Sequence, residues 1–268
     1  MTVLSEKSQI LSLAKGFKVL EAFNALSPVL TLSEIASRAE LDPGTTYRIL
    51  KTLVALGYLE EAGTKRYQLG LKVLDLGFQA ISRMDPHDAA RPVLRSLVGH
   101  VNEAASVGVL YGAEAVYVDR VQAGLARLGV DVRIGSRIAV YCSALGHALM
   151  AHLPKAERTA ILNARPRPKL TPSTPTTLSE IEARLAKVRE VGYAVSDQDT
   201  VVGLRVLATP LLDRDNRAYA ALSVAAPVGN RTMAEFVEKS AGPVMDAAAK
   251  LAKMYRTRGG AAPADLSL

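Results

Sequence analysis

The sequence contains no tryptophan, and aromatic residues make up only 5% of its 268 positions. Cys142 is the only cysteine, which excludes an intrachain disulfide and a metal cluster built from several thiolates of one chain. No uninterrupted apolar run approaches the roughly 20 residues of a membrane-spanning helix. The N-terminal segment lacks the apolar core of a signal peptide and carries Glu6 and Lys7. We therefore expect a cytoplasmic protein with no membrane partner and no cofactor.

Hydrophobic residues are 49% of the chain and charged residues 22%, so a packed core is expected. The length predicts about two domains. The net charge of +7 favours an anionic partner, with nucleic acid first among the candidates. However, residues 1–84 hold ten Lys and Arg against eight Asp and Glu, and the remainder holds twenty-three against eighteen. The positive charge is thus spread along the chain, and charge alone leaves a solvated basic surface as the alternative.

The segment from residue 31 to residue 57 contains two helix patterns separated by an abrupt break. A helix over 11–26 is expected before them, and a hairpin with strands at 58–61 and 66–69 after them. The first helix begins with a capping box, and the second has an N-cap, a first-turn proline and a terminal glycine. These signals are Thr31 with Glu34, Asp42, Pro43 and Gly57. Three helices followed by a hairpin predict a winged helix-turn-helix.

The second of these helices has two different faces. Thr46, Ile49, Leu50 and Leu53 recur at helical spacing and are expected to face the core. The opposite face is small, then aromatic, then cationic, which suits a helix that enters the major groove of DNA. An ordinary solvated helix face is the alternative for any single residue. The candidate DNA contacts, including the hairpin tip, are Ser33, Gly44, Thr45, Thr46, Tyr47, Arg48, Lys51, Thr64, Lys65 and Arg66.

After the hairpin, residues 70–83 resume helical spacing, and Met84-Asp85-Pro86 is expected to end the first domain. The apolar stripe of that helix could pack on a partner chain or cover its own domain. The rest mixes helices with antiparallel-type strands, which predicts an α+β fold. The expected helices are 87–104, 139–152, 155–163, 178–191 and 232–255, and the expected strands are 106–111, 115–122, 130–134, 193–196, 206–212 and 218–225. Residues 164–177 hold four prolines and are expected to be an exposed connection.

The chain resembles the IclR-type transcriptional regulators over about 245 residues, from Leu11 to Tyr255. In the first domain the resemblance lies in LAKGFKVLEAF, LSEIASRAELDPGTTYRILKTLVALGYLE and YQLGLKVLDLG. In the second it lies in IGSRIAVYCSALGHALMAHLP, VGYAVSDQDTVVGLRVLATPLLD and AYAALSVAAP. The resemblance is specific because the match is long and its segments occur in order. A single short motif would not be specific by itself.

The resemblance implies a winged helix-turn-helix domain at 1–69, a linker helix at 70–84 and a GAF-like effector-binding domain at 85–257. Residues 258–268 are expected to be a mobile tail. The resemblance also implies homodimers, often paired into tetramers, that bind palindromic operator DNA and respond to a small-molecule effector. It thus predicts a repressor or activator of transcription.

By the same resemblance, two segments and one strand residue would line the effector pocket. They are Tyr141, Cys142, Ser143, Ala144 and Leu145, then Asp197, Asp199, Leu204 and Val206, and finally Ser223. A helix N-terminus beside an apolar wall suits a carboxylate. The segment Tyr141-Cys142-Ser143 resembles the subgroup that controls aromatic-acid catabolism. Alternatively, Ser143 only caps its helix, and the two aspartates only bind backbone in a turn.

Departures from the family pattern occur at two positions. Ser196 stands where many members have an acidic residue, and His147 follows the helix glycine where many have lysine. Cys142, His147 and His152 are each five residues apart. Residues at this spacing do not share one face of a helix, as a catalytic pair or a zinc site on a helix requires. We therefore expect neither catalysis nor a metal site. Three alternatives remain open: a regulator without a ligand, redox control through Cys142, and a GAF-type enzyme.

Overall fold

The computed structural model describes residues 9–24, 26–82, 87–101, 104–122, 132–229 and 231–257. The chain forms two compact units, Met1–Arg83 and Met84–Leu268. Among the described helices, none is long and apolar enough to cross a membrane. The expected boundary at 84–86 and the expected tail at 258–268 lie outside the described residues.

The first unit combines helices with a small antiparallel sheet of strand order β1-β3-β2. The predicted hairpin is present, while β1 was not predicted from the sequence. Helix α1 is also shorter than the expected range 11–26. In chain order the elements are α1 (Leu11–Glu21), β1 (Val29–Thr31), α2 (Leu32–Ala39), α3 (Pro43–Ala55), β2 (Leu59–Glu61), β3 (Arg66–Leu69) and α4 (Val73–Ser82).

Local hydrogen bonds fix the break between α2 and α3. The Thr31 amide donates to Glu34 Oε2 over 2.7 Å, and the Glu34 amide donates back to Thr31 Oγ1, so the predicted capping box is confirmed. Helix α2 ends at Glu40, whose φ of 56° lies in the left-handed region. Asp42 then caps α3 by accepting a hydrogen bond from the Thr45 amide over 2.8 Å. The chain therefore ends one helix and starts the next within three residues.

The core of the first unit forms where the three helices meet the sheet. Val19 of α1, Ile35 of α2, Leu50 of α3 and Leu59 of β2 are buried and belong to one hydrophobic cluster. Each comes from the apolar face of its own element, as the helical spacing predicts. Burial of this apolar surface holds the helices against the sheet and leaves the polar face of α3 outward.

The second unit is built on a six-stranded sheet of order β6-β5-β4-β9-β8-β7, in which every neighbouring pair is antiparallel. Its helices lie on both faces, so the α+β prediction is confirmed. In chain order the elements are α5 (His87–Val101), β4 (Ala104–Tyr111), β5 (Glu114–Gln122), β6 (Arg137–Ala139), α6 (Ala144–Met150), α7 (Lys155–Asn163), α8 (Leu178–Val191), β7 (Ala194–Asp197), β8 (Leu204–Leu212), β9 (Ala218–Pro227) and α9 (Met233–Thr257).

The two faces of this sheet differ in the size of their side chains. The aliphatic face carries residues such as Leu207, Leu222 and Val224, which pack against α5 and α9. The opposite face, which we call the short-chain face, packs against α6 and α8. Because directly paired residues point to the same side of a sheet, strand register assigns its members. Its small members are Ala104, Ser106, Gly108, Ala194, Ser196, Val206, Ala208, Ala221, Ser223 and Ala225, and the same register places Tyr117, Arg120, Gln122 and Pro210 on this face.

Two predicted elements of the second unit are wrong in their bounds. The expected strand at 130–134 is not formed at 132–134, and residues 130 and 131 lie outside the described part. The strand instead begins at Arg137, after a turn in which Gly135 adopts a φ of 86°. The expected helix at 139–152 begins only at Ala144, because Ala139 pairs with Glu114 in the sheet.

Candidate functional site

Helix α3 has the two faces that its sequence predicts. Thr46, Leu50 and Leu53 are buried, whereas Tyr47 is 47% exposed and Arg48 lies fully on the surface. Within the described part of the chain, the Arg48 guanidinium has no hydrogen-bond or ion-pair partner. Lys51 Nζ bonds Glu61 Oε1 over 3.0 Å and lies 5.9 Å from the centre of the Tyr47 ring. The exposed face thus presents an aromatic ring and two cations, one of them available for a new partner.

The tip of the hairpin is formed by left-handed backbone. Gly63 has a φ of 86° and Lys65 a φ of 56°, so the turn between β2 and β3 is tight. Thr64, Lys65 and Arg66 are all exposed there. A compact tip with two cations is suited to contacts with the sugar-phosphate backbone.

One of the candidate DNA contacts is wrong. Thr46 is completely buried, and its hydroxyl donates to the Asp42 carbonyl over 2.9 Å, so it belongs to the core and to the helix start. Its predicted place on the core-facing side of the helix is the one that the structure supports. Ser33 and Gly44 are exposed, and Thr45 is partly buried.

The segment that starts α6 is closed by its own hydrogen bonds. Ser143 accepts from the Gly146 amide over 3.1 Å and donates to the Ala139 carbonyl over 2.8 Å, so it acts as the helix cap. Tyr141 donates its hydroxyl to the Pro168 carbonyl over 2.5 Å. A Cβ on Gly146 would fall on backbone atoms of Val140, and this close contact requires glycine. The polar atoms of Tyr141 and Ser143 are therefore used by the protein itself.

The two predicted acidic ligands are also paired within the protein. Asp199 is buried and its carboxylate bonds Arg184 over 2.5 Å, while Asp197 bonds Arg205 Nε over 2.9 Å. Thr174 is buried in the proline-rich connection and donates to the Asp199 carbonyl over 2.6 Å. The composition predicted that this connection is exposed, and the burial of Thr174 shows that it is not exposed throughout. These aspartates hold segments together, so their carboxylates already have partners within the protein.

The other predicted pocket residues come together on or above the short-chain face. Val206 and Ser223 belong to that face, and Leu204 is buried on the same strand as Val206. Leu145 of α6 lies over Gly108, where a Cβ would meet the Leu145 side chain in a contact too short to keep. Ala144 and Cys142 are fully buried beside it. The face is thus partly covered by α6 and partly lined by small polar residues.

The sequence analysis missed Ser106 and Arg120 of this face, and it placed Ser196 at the start of the second pocket segment. Ser106 lies directly opposite Ser223 on the neighbouring strand, and Arg120 lies opposite Ser106 on the next. Ser196 is 1% exposed, and its hydroxyl lies close enough to the Asp199 carboxylate to lower the pKa of that group against the larger effect of burial, which raises it. Serine in a strand carries no signal of this kind in the sequence, because only the register of the sheet brings these residues together.

Cys142 and His147 do not form a catalytic pair. Burial raises the pKa of the Cys142 thiol to about 11, and the side chain has no exposed surface. His147 Nε2 donates to the Tyr141 carbonyl over 2.8 Å, and burial lowers the pKa of the ring to about 4. A protonated, inaccessible thiol is a poor nucleophile and a poor redox sensor. Among the described residues, no group of three or more His, Cys, Asp or Glu is placed to hold a metal ion.

Helices around a steep turn, a hairpin wing and a separate antiparallel-sheet unit define the class of two-domain transcriptional regulators that bind DNA. Residues 12–63 match the IclR helix-turn-helix domain, and residues 78–253 match the domain described as bacterial transcriptional regulator IclR C-terminal. The chain therefore belongs to the IclR family, and the family prediction is confirmed.

Relatives of known name are regulators as well. The Pca regulon regulatory protein of Pseudomonas putida is 32% identical over 242 residues, which cover 89% of this chain and 81% of that protein. The HTH-type transcriptional regulator XynR of Escherichia coli K12 is 30% identical over 216 residues, which cover 80% of this chain and 85% of that protein. An IclR homolog of Microbacterium hydrocarbonoxydans, crystallised with 4-hydroxybenzoate, superposes with a TM-score of 0.82 at 25% identity, with 92% and 99% covered. These names confirm the prediction of a regulator that is not an enzyme.

We expect Arg48→Ala to weaken binding to a selected operator by ~1–3 kcal/mol, because a guanidinium without an internal partner is available to read a base edge. The measurement is fluorescence anisotropy on operator duplexes selected from genomic fragments, compared with random duplexes. Arg214→Ala, at an exposed turn of the second unit, is the matched control. Equal weakening on both kinds of DNA would assign Arg48 to phosphate contact instead.

We expect acid to destabilise the second unit through His147, whose burial lowers its pKa to about 4. In the unfolded chain the pKa of a histidine is about 6.5. Below that pH the unfolded chain binds a proton at this residue, whereas the folded chain does not. Stability present above pH 6.5 is thus lost as the pH falls towards 4, by about 3 kcal/mol. Urea unfolding followed by circular dichroism measures this loss. His147→Gln should flatten the dependence, and an unchanged slope in that variant would contradict the assignment.

Proposed function

We propose that this protein binds operator DNA through the exposed face of α3 and the tip of its wing. The observation that carries this is the division of α3, in which buried Leu50 and Thr46 anchor one side and Tyr47 and Arg48 extend from the other. A helix held in this way can enter the major groove while the hairpin contacts the adjacent backbone. Since operator DNA lies in the bacterial cytoplasm, we place the protein there.

Phosphate contacts would come from the positions around this reading surface. Lys51 is held near Tyr47 by Glu61, so it could exchange that partner for a phosphate. Thr45 lies at the helix start, where backbone amides and the helix dipole favour an anion. Ser33, Gly44, Thr64, Lys65 and Arg66 complete the proposed contact set.

We further propose that the effector is an aromatic carboxylate bound at the short-chain face of the second unit. Two relatives support this class: one regulates a Pca regulon, and another was crystallised with 4-hydroxybenzoate. The chemistry of the face supports it as well, because its apolar residues suit a ring and its buried hydroxyls could supply hydrogen bonds. Ser223, Val206, Leu204 and Leu145 are the members retained from the sequence prediction. The effector acts by binding the DNA-competent and DNA-incompetent states with different affinity.

A thermal-shift panel on the full chain tests the effector class. We expect 4-hydroxybenzoate and protocatechuate to raise the melting temperature, since a ligand that binds only the folded state stabilises it. The aliphatic acids pyruvate and xylonate are the controls, together with the neutral 4-hydroxybenzamide. Binding of the active compounds should also change affinity for the selected operator. A shift from the aliphatic acids alone would contradict an aromatic effector.

We also propose that the protein acts as a homodimer, or as a dimer of dimers, through α4. Leu74 and Phe78 of α4 are 65% and 64% exposed, and Leu71, which lies just before the helix, is 75% exposed. An apolar stripe of this kind on a surface helix is typical of an interface with a partner chain. We therefore propose that this apolar stripe packs on a partner chain, and not over its own domain.

Sedimentation equilibrium tests the dimer. Leu74→Glu should shift the protein towards monomer, because a carboxylate in an apolar interface would lose its hydration. Asp75→Ala changes a neighbouring exposed position and should leave the oligomeric state unchanged. A Leu74→Glu protein that remains fully dimeric would place the interface elsewhere.

A further inference from the structure

Glu61 brings a negative charge to the surface that is proposed to bind DNA. It is the last residue of β2, and it shares the side of Leu59 because side chains two positions apart in a strand point to the same side. Leu59 is buried in the same core cluster as Leu50 of α3. Glu61 therefore extends from the wing on the side where α3 lies.

An ion pair between Lys51 and Glu61 joins α3 to the wing. Lys51 Nζ donates to Glu61 Oε1 over 3.0 Å, and the two side chains are 51% and 52% exposed. Among the residues that the structure describes, Glu61 is the only ion-pair partner of Lys51. The hydrogen bond and the charge of Glu61 raise the pKa of the Lys51 ammonium. Lys51 is thus a cation whose charge is already matched by a carboxylate in the free protein.

Stability does not explain a carboxylate at this position. An exposed pair of lysine and carboxylate contributes little to folding, because water screens the charges and two long side chains lose freedom. The strand itself is held by its pairing with β3 and by the burial of Leu59. Towards DNA the charge is unfavourable, because a duplex carries one negative charge for about every 1.7 Å of its length. The effect of this carboxylate is therefore to be sought in DNA binding, which it opposes.

Glu60, the preceding residue, provides an internal comparison. It lies opposite Gln68 of β3 in the strand register and accepts a hydrogen bond from Gln68 Nε2 over 3.1 Å. Strand alternation places it on the other side of β2 from Glu61, so its carboxylate is directed to Gln68 and not to Lys51. Two neighbouring carboxylates of one strand thus differ in the side that they face, and one of them holds a cation of α3.

We propose that Glu61 is an internal competitor of DNA for Lys51. In the free protein its carboxylate occupies the ammonium group, and in the complex a phosphate of the duplex takes its place. The exchange proceeds because the many phosphates of a duplex attract the lysine more strongly than one carboxylate does. The affinity is nevertheless lower than a free lysine would give. The proposal rests on the proposed function, since it describes how the DNA-contacting surface is regulated.

The exchange acts on the part of binding that does not depend on base sequence. Phosphate contacts position a protein on the duplex and carry no sequence information directly. Glu61 therefore lowers the affinity for operator and for other DNA by the same factor. The salt dependence changes as well, because each phosphate that is neutralised releases about 0.9 counterion. A carboxylate uncovered beside the DNA retains a cation, so part of this release is lost in the wild type.

Fluorescence anisotropy of the full-length protein on selected operator duplexes and on random duplexes, over a series of salt concentrations, tests the competition. Glu61→Gln removes the charge at nearly constant shape. We expect it to tighten binding to both kinds of DNA about 3- to 10-fold, the range for one exposed ion pair and the repulsion of one carboxylate. The slope of log K against log salt should become more negative by up to about 0.9. Glu60→Gln makes the same charge change on the other side of the strand and is the matched control. It should change the affinity less than about 2-fold, because salt screens a charge that lies farther from the DNA.

A double-mutant cycle with Lys51→Ala separates competition from general repulsion. Lys51→Ala alone should weaken binding to both kinds of DNA, because a phosphate contact is lost. In that background the gain from Glu61→Gln should be at least about 2-fold smaller, because no lysine remains for the carboxylate to occupy. Thermal melting followed by circular dichroism shows whether each variant keeps the stability of the wild type.

The outcomes separate the two proposals. If the wild type binds no duplex, the proposed DNA-binding function fails, and the role of Glu61 fails with it. If the wild type binds DNA and Glu61→Gln binds it equally well or less tightly, only the role of Glu61 is overturned, and a loss confined to the operator would assign its carboxylate to a base contact. An equal gain with and without Lys51 would also overturn the competition. A gain on both kinds of DNA that depends on Lys51, in a variant that melts like the wild type, supports the proposal.

Discussion

Strand alternation in the sheet of the second unit is the constraint on which its chemistry depends. Side chains of each strand point alternately to the two sides, so Leu207 and Val224 are buried against α5 and α9 while Val206 and Ser223 face the other way. The aliphatic face supplies the apolar burial that stabilises the unit. The short-chain face is thereby free to carry small and polar residues. A bulge at Val118 is the one place in β4 and β5 where this alternation is broken, and it brings Arg120 and Tyr117 to the same side of the sheet.

The first unit also has an element with one buried side and one exposed side. In α3, Leu50 and Leu53 hold the helix to the core, and the exposed side is left to Tyr47 and Arg48. Hydrogen bonds at Thr31 and Asp42 set where the helices start, so the exposed face of α3 is oriented by local groups. The residues that stabilise the unit and those proposed to contact DNA thus lie on opposite sides of one helix.

Polar residues near a site can serve the fold instead of the ligand. Asp197, Asp199, Tyr141 and Ser143 all looked suited to binding, yet each has its partner within the protein. Buried charges and hydroxyls must be paired, and a long chain offers partners that are distant in sequence, such as Arg184 for Asp199. Suitability for binding, read from residue type alone, therefore does not separate residues that serve the fold from residues that serve a ligand.

The sequence by itself determined the family, the α+β class, the capped helices α2 and α3 of the first unit and the outward face of α3. These depend on spacing along one element, on cap residues and on long ordered resemblance, all of which are local or linear signals. Only the tertiary structure decided the start of α6, the strand β1, the internal ion pairs and the place of Arg120 beside Ser106 and Tyr117. Those depend on strand register and on a single extra residue in β5, and such pairing between distant segments is not written in the spacing of any one of them.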